Sequence, residues 1–146
     1  MTTPPTFRFR FRVRYGECDA QQIVFNARWA DYVDIAATEY TRALFGAVAA
    51  AANGIDWRLR RQVLEWQAPA AFDQILEARI VTRAVGTTSF TLATGFHRAD
   101  REAPLVTAET VYVVVDPVAG SKLAVPDRHR AALLAGSART VDCTGE

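Results

Sequence analysis

The residues best suited to chemistry stand in one short stretch, Tyr15-Gly-Glu-Cys-Asp19-Ala-Gln-Gln-Ile-Val-Phe-Asn26. A lone carboxylate, Asp19, lies seven residues before Asn26, where the chain's pattern turns helical. A helix start presents N–H groups without partners and a partial positive charge, which suits a developing oxyanion. Ile23, Val24 and Phe25 supply apolar walls beside the carboxylate. Carboxylate, apolar walls and helix-start amide together point to attack on a polarised carbonyl. Spacing alone favours a plainer role for Asp19, the capping of a turn. Cys18 is a second nucleophile by type, but a catalytic thiol wants a base partner and no His is near in sequence, so it is read as a half-buried structural thiol. His97 and His129 are far apart and belong to no ligand-spaced cluster, so neither a metal site nor a His-based triad is expected. His97 is assigned to a strand and His129 to the surface of a helix. No Gly-rich phosphate loop is present.

The elements that must position this stretch follow from periodicity. Phe7, Phe9, Phe11, Val13 and Tyr15 alternate with Arg8, Arg10, Arg12 and Arg14, which predicts a strand with one buried and one wet face. The four arginines are read as the solvated face of that strand in preference to an anion-binding stripe. From Asn26 the period changes: Trp29, Val33, Ala36, Tyr40, Ala43 and Leu44 share one helical face. Small residues at Ala30, Ala36 and Ala37 keep the helix slim, so a sheet can approach it closely. Gly46 is a stop signal, although the alanines after it could prolong the helix. Strands are predicted at Gln62 to Gln67 (weakly), Ile75 to Val85, Ser89 to His97 and Leu105 to Val115, the last buried on both faces over Val111 to Val115. Pro126 suits the first turn of a short helix reaching Leu134. One strand, one long helix and four more strands with short connections predict an α+β fold, a mostly antiparallel sheet curled around a central helix.

Composition narrows the function. The 146 residues, half of them apolar and carrying a net charge of +1, suit a single domain spanning 1–146, with a core at about 7–134 and a frayed tail at 135–146. Near-neutral charge argues against nucleic acid as a partner. The longest apolar stretch, Ala43 to Ala52, is far shorter than the roughly 18 residues of a membrane span. Met1 to Pro5 leads into alternating Phe and Arg instead of an apolar run, so a cytoplasmic protein is expected.

The Asp19 stretch resembles the signature of the 4-hydroxybenzoyl-CoA thioesterase-like branch of the hotdog-fold acyl-CoA thioesterases. The matching positions are Tyr15, Asp19, Gln22, Val24, Phe25, Asn26 and Trp29. The likeness continues through Glu39 to Leu44, Pro69-Ala70, Phe72-Asp73, Gly86 with Ser89-Phe90, Glu109 to Tyr112, and Pro126. The resemblance implies a hotdog fold, with a curved sheet of about five strands around one long helix, and hydrolysis of acyl-CoA to a carboxylic acid and free CoA. It implies Asp19 as the catalytic carboxylate, acting as general base or as nucleophile through a mixed anhydride. It further implies the Asn26 backbone N–H as oxyanion donor, Ile23, Val24, Phe25 and Trp29 around the substrate, and Thr88 and Ser89 toward the CoA end. No cofactor and no metal are implied. A homodimer or homotetramer is, because hotdog sites usually form between subunits. In one respect the chain departs from the pattern: the family usually has Gly three residues after the Asp, and here it is Gln22. If that position requires a positive φ, Gln bears strain that Gly would not. The alternative is a non-catalytic acyl or aromatic ligand-binding scaffold of the same fold. A hotdog dehydratase fits less well, because the Asp19 segment contains no His.

Overall fold

The structure, a computed structural model, describes residues 3–145. The elements are β1 (Phe7–Arg12), α1 (Arg28–Phe45), α2 (Ala50–Asn53), β2 (Asp56–Trp66), β3 (Ile75–Val85), β4 (Ser89–Arg98), β5 (Pro104–Val115), α3 (Asp127–Ala135) and β6 (Thr140–Asp142). They form an α+β fold with one six-stranded sheet in the order β2-β5-β4-β3-β1-β6. Every neighbouring pair is antiparallel except β1 with β6, which is parallel.

Alternation along the strands explains the core. Phe7 and Phe9 on β1, Leu76, Ala78 and Ile80 on β3, Phe90, Leu92 and Phe96 on β4, and Val106, Ala108, Tyr112 and Val114 on β5 are all buried. One face of α1 meets them through Trp29, Tyr32, Val33, Ala36, Ala37 and Tyr40, with the two alanines at 0% and 5% exposure. Register breaks between Leu59 and Arg61, Thr82 and Ala84, and Phe96 and His97 bend the sheet around the helix. At the start of α1 the rings of Trp29 and Tyr32 meet Phe96 at 5.3 and 6.4 Å between centroids, and Tyr32 meets Phe11 at 4.7 Å. That aromatic cluster pins the helix start to the sheet. Among the described residues no helix is long and apolar enough to cross a membrane.

Several expectations need correction. The sheet has six strands where about five were expected, because residues 140–142 of the tail pair with β1 instead of fraying. Strand β1 stops at Arg12, since Arg14 leads into a 3-10 turn at Tyr15–Glu17. The long helix begins at Arg28 and not at Asn26, and it ends where Gly46 turns left-handed (φ 78°) and donates its N–H to Arg42 O. The alanines beyond it form the separate short α2. Pro126 caps α3 from outside its first turn. His129 is not on the surface: it is 2% exposed, its ring packs 4.7 Å from Phe45, and its Nε2 lies 3.1 Å from Asn53 Oδ1. His97 does lie on β4, buried, with its ring over Gly95, where a Cβ would fall 2.9 Å from Nε2. Nor are all the β1 arginines simply solvated. Arg8 and Arg10, together with Arg79, close on the carboxylate of Glu77 at 2.6 to 2.7 Å, and Glu77 is 3% exposed. Burial raises the Glu77 pKa, but the hydrogen bonds from Arg79, Arg10 and Arg8 outweigh it and hold the group at about 2.

Candidate functional site

The link between β1 and α1 is a tight, self-bonded loop. Asp19 N–H donates to Ile23 O at 2.9 Å and Gln22 N–H to Asp19 O at 2.9 Å, while Cys18 and Val24 face each other as an antiparallel bridge. The loop is stitched to the segment before β3 by Val24 N–H to Ala70 O at 2.8 Å and Phe72 N–H to Gln22 O at 3.3 Å. Its other side is tied to the helix by one carboxylate. Glu17 Oε1 accepts from the Arg14 N–H at 2.8 Å and from the Tyr32 hydroxyl at 2.9 Å, and Glu17 O accepts from Phe25 N–H at 3.0 Å. Burial, followed by the Glu17 hydrogen bond and charge, raises the Tyr32 pKa far above the ordinary value, so this phenol remains a donor.

Asp19 is half-buried and lines a cavity of about 610 Å³ with Tyr15, Gly16, Cys18, Ala20, Gln22 and Phe72. Its Oδ1 accepts the Gln21 N–H at 2.8 Å. The carboxylate therefore does cap its own turn, as spacing suggested, while also lining the cavity. A second cavity of about 600 Å³, apolar along Phe9, Phe11, Val13, Tyr32 and Ile35, shares Tyr15 and Phe72 with the first. Those two rings pack edge to face at 6.0 Å.

The start of α1 has no side-chain cap, its N-cap being Ala27. Phe25 O takes the Arg28 N–H at 2.9 Å, but the Asn26 N–H has no partner among the described residues. An uncapped start of this kind leaves amides for a ligand oxygen. Asn26 is exposed and does not line the Asp19 cavity within one chain.

The remaining residues singled out in the sequence separate into three places. Ile23 is half-buried and Phe25 is 52% exposed, both on the loop. Val24 (3% exposed) and Trp29 (1%) belong to the core and hold the loop and helix start in place. Thr88 and Ser89 lie at the far end of the sheet. Arg12 pairs with Ile75 at the loop end, and β3 then runs its 11 residues, ten steps of about 3.3 Å or about 33 Å, before the turn to β4. Tyr15 and Phe72 emerge as cavity residues; both stood in the family pattern without a stated role. Glu17 and Tyr32 are new, since nothing in sequence spacing joins residues 15 apart on a turn and a helix.

Cys18 lines the same cavity, yet its thiol pKa is raised by burial and by the neighbouring Asp19 and Glu17 carboxylates. That environment disfavours a thiolate. Among the described residues no group of three or more His, Cys, Asp or Glu side chains is placed to hold a metal ion.

Comparison with known proteins supplies a relative. The chain is 30% identical over 121 residues to the acyl-CoA thioester hydrolase YbgC of Escherichia coli, covering 82% of this chain and 90% of that protein. In three dimensions it is similar to Slr0204, a 1,4-dihydroxy-2-naphthoyl-CoA thioesterase from Synechocystis, with a TM-score of 0.78, 16% identity and coverage of 88% of this chain and 95% of the other. It is also similar to the Staphylococcus aureus protein SAV2348, whose structure was determined in complex with CoA, with a TM-score of 0.81, 8% identity and coverage of 90% and 84%. At those identities the structural likenesses speak for the fold. No family model matches the chain.

Proposed function

The chain belongs to the hotdog-fold family of acyl-CoA thioesterases, and we propose from that premise that it hydrolyses acyl-CoA thioesters at the β1–α1 loop, with Asp19 as the working carboxylate. What supports the site is that one short loop carries both a half-buried carboxylate lining an open cavity and, seven residues on, an unpartnered amide beside an uncapped helix start. The thioester carbonyl oxygen takes the Asn26 N–H, and the positive end of α1 stabilises the oxyanion as it forms. Asp19 either takes a proton from the attacking water or attacks the carbonyl carbon itself to give a mixed anhydride that water opens. Both routes release a carboxylic acid and the CoA thiol. Neither route gives a role to the Cys18 thiol.

The reading includes a second copy of the chain. β2 is an edge strand, and Leu59, Val63 and Trp66 on it are 56%, 37% and 51% exposed. An open, partly apolar edge of eleven residues invites another strand. Antiparallel pairing of two β2 edges about a two-fold axis sets the loop end of one sheet beside the turn end of the other.

The test is a panel of acyl-CoAs, aliphatic and aromatic, followed with a thiol reagent. Saturable release of free thiol, dependent on the protein, is the expected result. Saturable binding of acyl-CoA with no thiol release overturns hydrolysis and favours the ligand-binding scaffold.

A further inference from the structure

Among the described residues only two that are not glycine have a positive φ, Gln22 at 62° and Asp73 at 70°. They are neighbours in space: the peptide N–H of Phe72, next to Asp73, donates to Gln22 O at 3.3 Å. Asp73 has a local reason for its conformation. Asp tolerates the left-handed region better than most residues, its N–H donates to Val13 O at 3.1 Å, and its carboxylate lies 3.4 Å from Arg12. Gln22 is held by its backbone alone: its residue type does not favour this region and its side chain has no partner among the described residues. It follows a turn closed by its own N–H to Asp19 O, the position where a hairpin loop normally places glycine. Its long side chain is exposed, makes no hydrogen bond and lines the Asp19 cavity. Both backbone groups are engaged, so the loop cannot relax without losing its hold on Phe72. A strained backbone that sets an exposed, unbonded side chain in the wall of the Asp19 cavity points to a contact with whatever fills that cavity.

Resting on the thioesterase reading above, we propose that Gln22 is a specificity-determining residue: it narrows the Asp19 cavity beside the reacting carbonyl and discriminates against acyl groups that are bulky or aromatic at the carbon next to that carbonyl. The reach follows from chemistry. Asp19 acts at the carbonyl carbon, and Gln22 stands three residues on in the same cavity wall. The atoms within its range are the first carbons of the acyl group and the nearest part of the thiol arm. Only the former differ between substrates.

The experiment compares wild type, Gln22→Gly and Gln22→Asn on butyryl-CoA and benzoyl-CoA, with melting temperatures for all three proteins. Gln22→Gly removes both the strain and the side chain. The melting temperature should rise by about 3 °C, and the ratio of kcat/KM for benzoyl-CoA over butyryl-CoA should rise at least about 10-fold, the scale of discrimination set by a few atoms in a pocket. Gln22→Asn keeps a shorter carboxamide at a backbone angle Asn accepts, so its ratio should fall between the other two. A Gln22→Gly protein that is more stable but keeps the wild-type ratio within about two-fold overturns the proposal, as does an equal change in kcat/KM for both substrates, which assigns the contact to the thiol arm. Wild-type protein that hydrolyses neither substrate, nor any other acyl-CoA, overturns this proposal together with the thioesterase reading; the other failures leave that reading standing.

Discussion

Asp19→Asn separates the proposed catalytic role from the capping role, because Asp19 both lines a cavity and caps its own turn. Its Oδ1 accepts the Gln21 N–H at 2.8 Å, and its peptide groups bond to Ile23 and Gln22 at 2.9 Å each. Asn keeps a carbonyl oxygen in the place of Oδ1 and alters none of the backbone bonds, so the turn survives and the melting temperature should move by no more than about 2 °C. What Asn lacks is the negative charge that either a base or a nucleophile requires. General-base catalysis is typically worth about 100- to 10,000-fold, or about 3 to 5 kcal/mol of barrier. Asp19→Asn should therefore lower kcat at least about 100-fold on the best acyl-CoA, with KM changed little. Asp19→Ala is the companion variant. It removes cap and charge together, so it should show the same loss of kcat and a further stability cost of about 0.5–2 kcal/mol. The assay is thiol release under saturating substrate, with thermal unfolding of each variant followed by circular dichroism. An Asn variant with kcat within about three-fold of wild type, whether or not it melts lower, refutes the catalytic assignment and leaves Asp19 as a turn residue.

Three further outcomes are expected. Glu77→Gln should destabilise the fold by about 2–3 kcal/mol: the drop in pKa from 4.5 to about 2 corresponds to about 3 kcal/mol, reduced because Arg8 and Arg10 are 37% and 41% exposed. Because the folded pKa lies below the unfolded one, this stabilisation is complete above pH 4.5 and is lost as pH falls toward 2, so urea unfolding should show the variant's deficit at pH 6 shrinking by pH 3; a deficit independent of pH contradicts the assignment. Cys18→Ser should keep most of the activity and alkylation should inhibit slowly, whereas rapid stoichiometric inactivation at Cys18, prevented by substrate, revives the thiol nucleophile. Sedimentation should show a dimer or tetramer at micromolar concentration, weakened in Leu59→Asp and Val63→Asp on the open edge of β2; a wild-type monomer removes the two-chain site.

The fold was readable wherever burial is one-sided. Period-2 alternation marks β1, β3 and β4 because one face of each packs on α1, and the 3.6-residue stripe from Trp29 to Tyr40 marks α1 for the same reason. It failed where stabilisation comes from elsewhere. β2 carries mostly exposed residues, so its alternation is weak and its start was missed, although its backbone pairs with β5 along ten registered positions. β6 is three residues long with two of them exposed, and only its hydrogen bonds to the edge of β1 reveal it. Alternation also marks the outer face of β1 as wet, but not that Arg8 and Arg10 are there to neutralise a carboxylate 67 residues or more away.

The candidate site divides along the same line. Asp19 and Asn26 are prominent in sequence because each sits at a change of pattern. Neither touches the other, and their fixed relation comes from Glu17. Its carboxylate holds the Tyr32 hydroxyl on the second turn of α1, its carbonyl holds Phe25 next to Asn26, and its neighbour Cys18 leads directly into Asp19. A single residue thus ties the carboxylate loop to the helix whose start would stabilise an oxyanion. That link is invisible in sequence because its partner is 15 residues away, on the side of the helix buried against Phe11 and Phe96. Local strain at Gln22 and Asp73 completes the frame, since the bond between Gln22 and Phe72 closes the loop from its other side. A carboxylate held from both sides loses little freedom when substrate arrives. This is the condition under which a lone Asp, with no neighbouring His to orient it, can act as base or nucleophile.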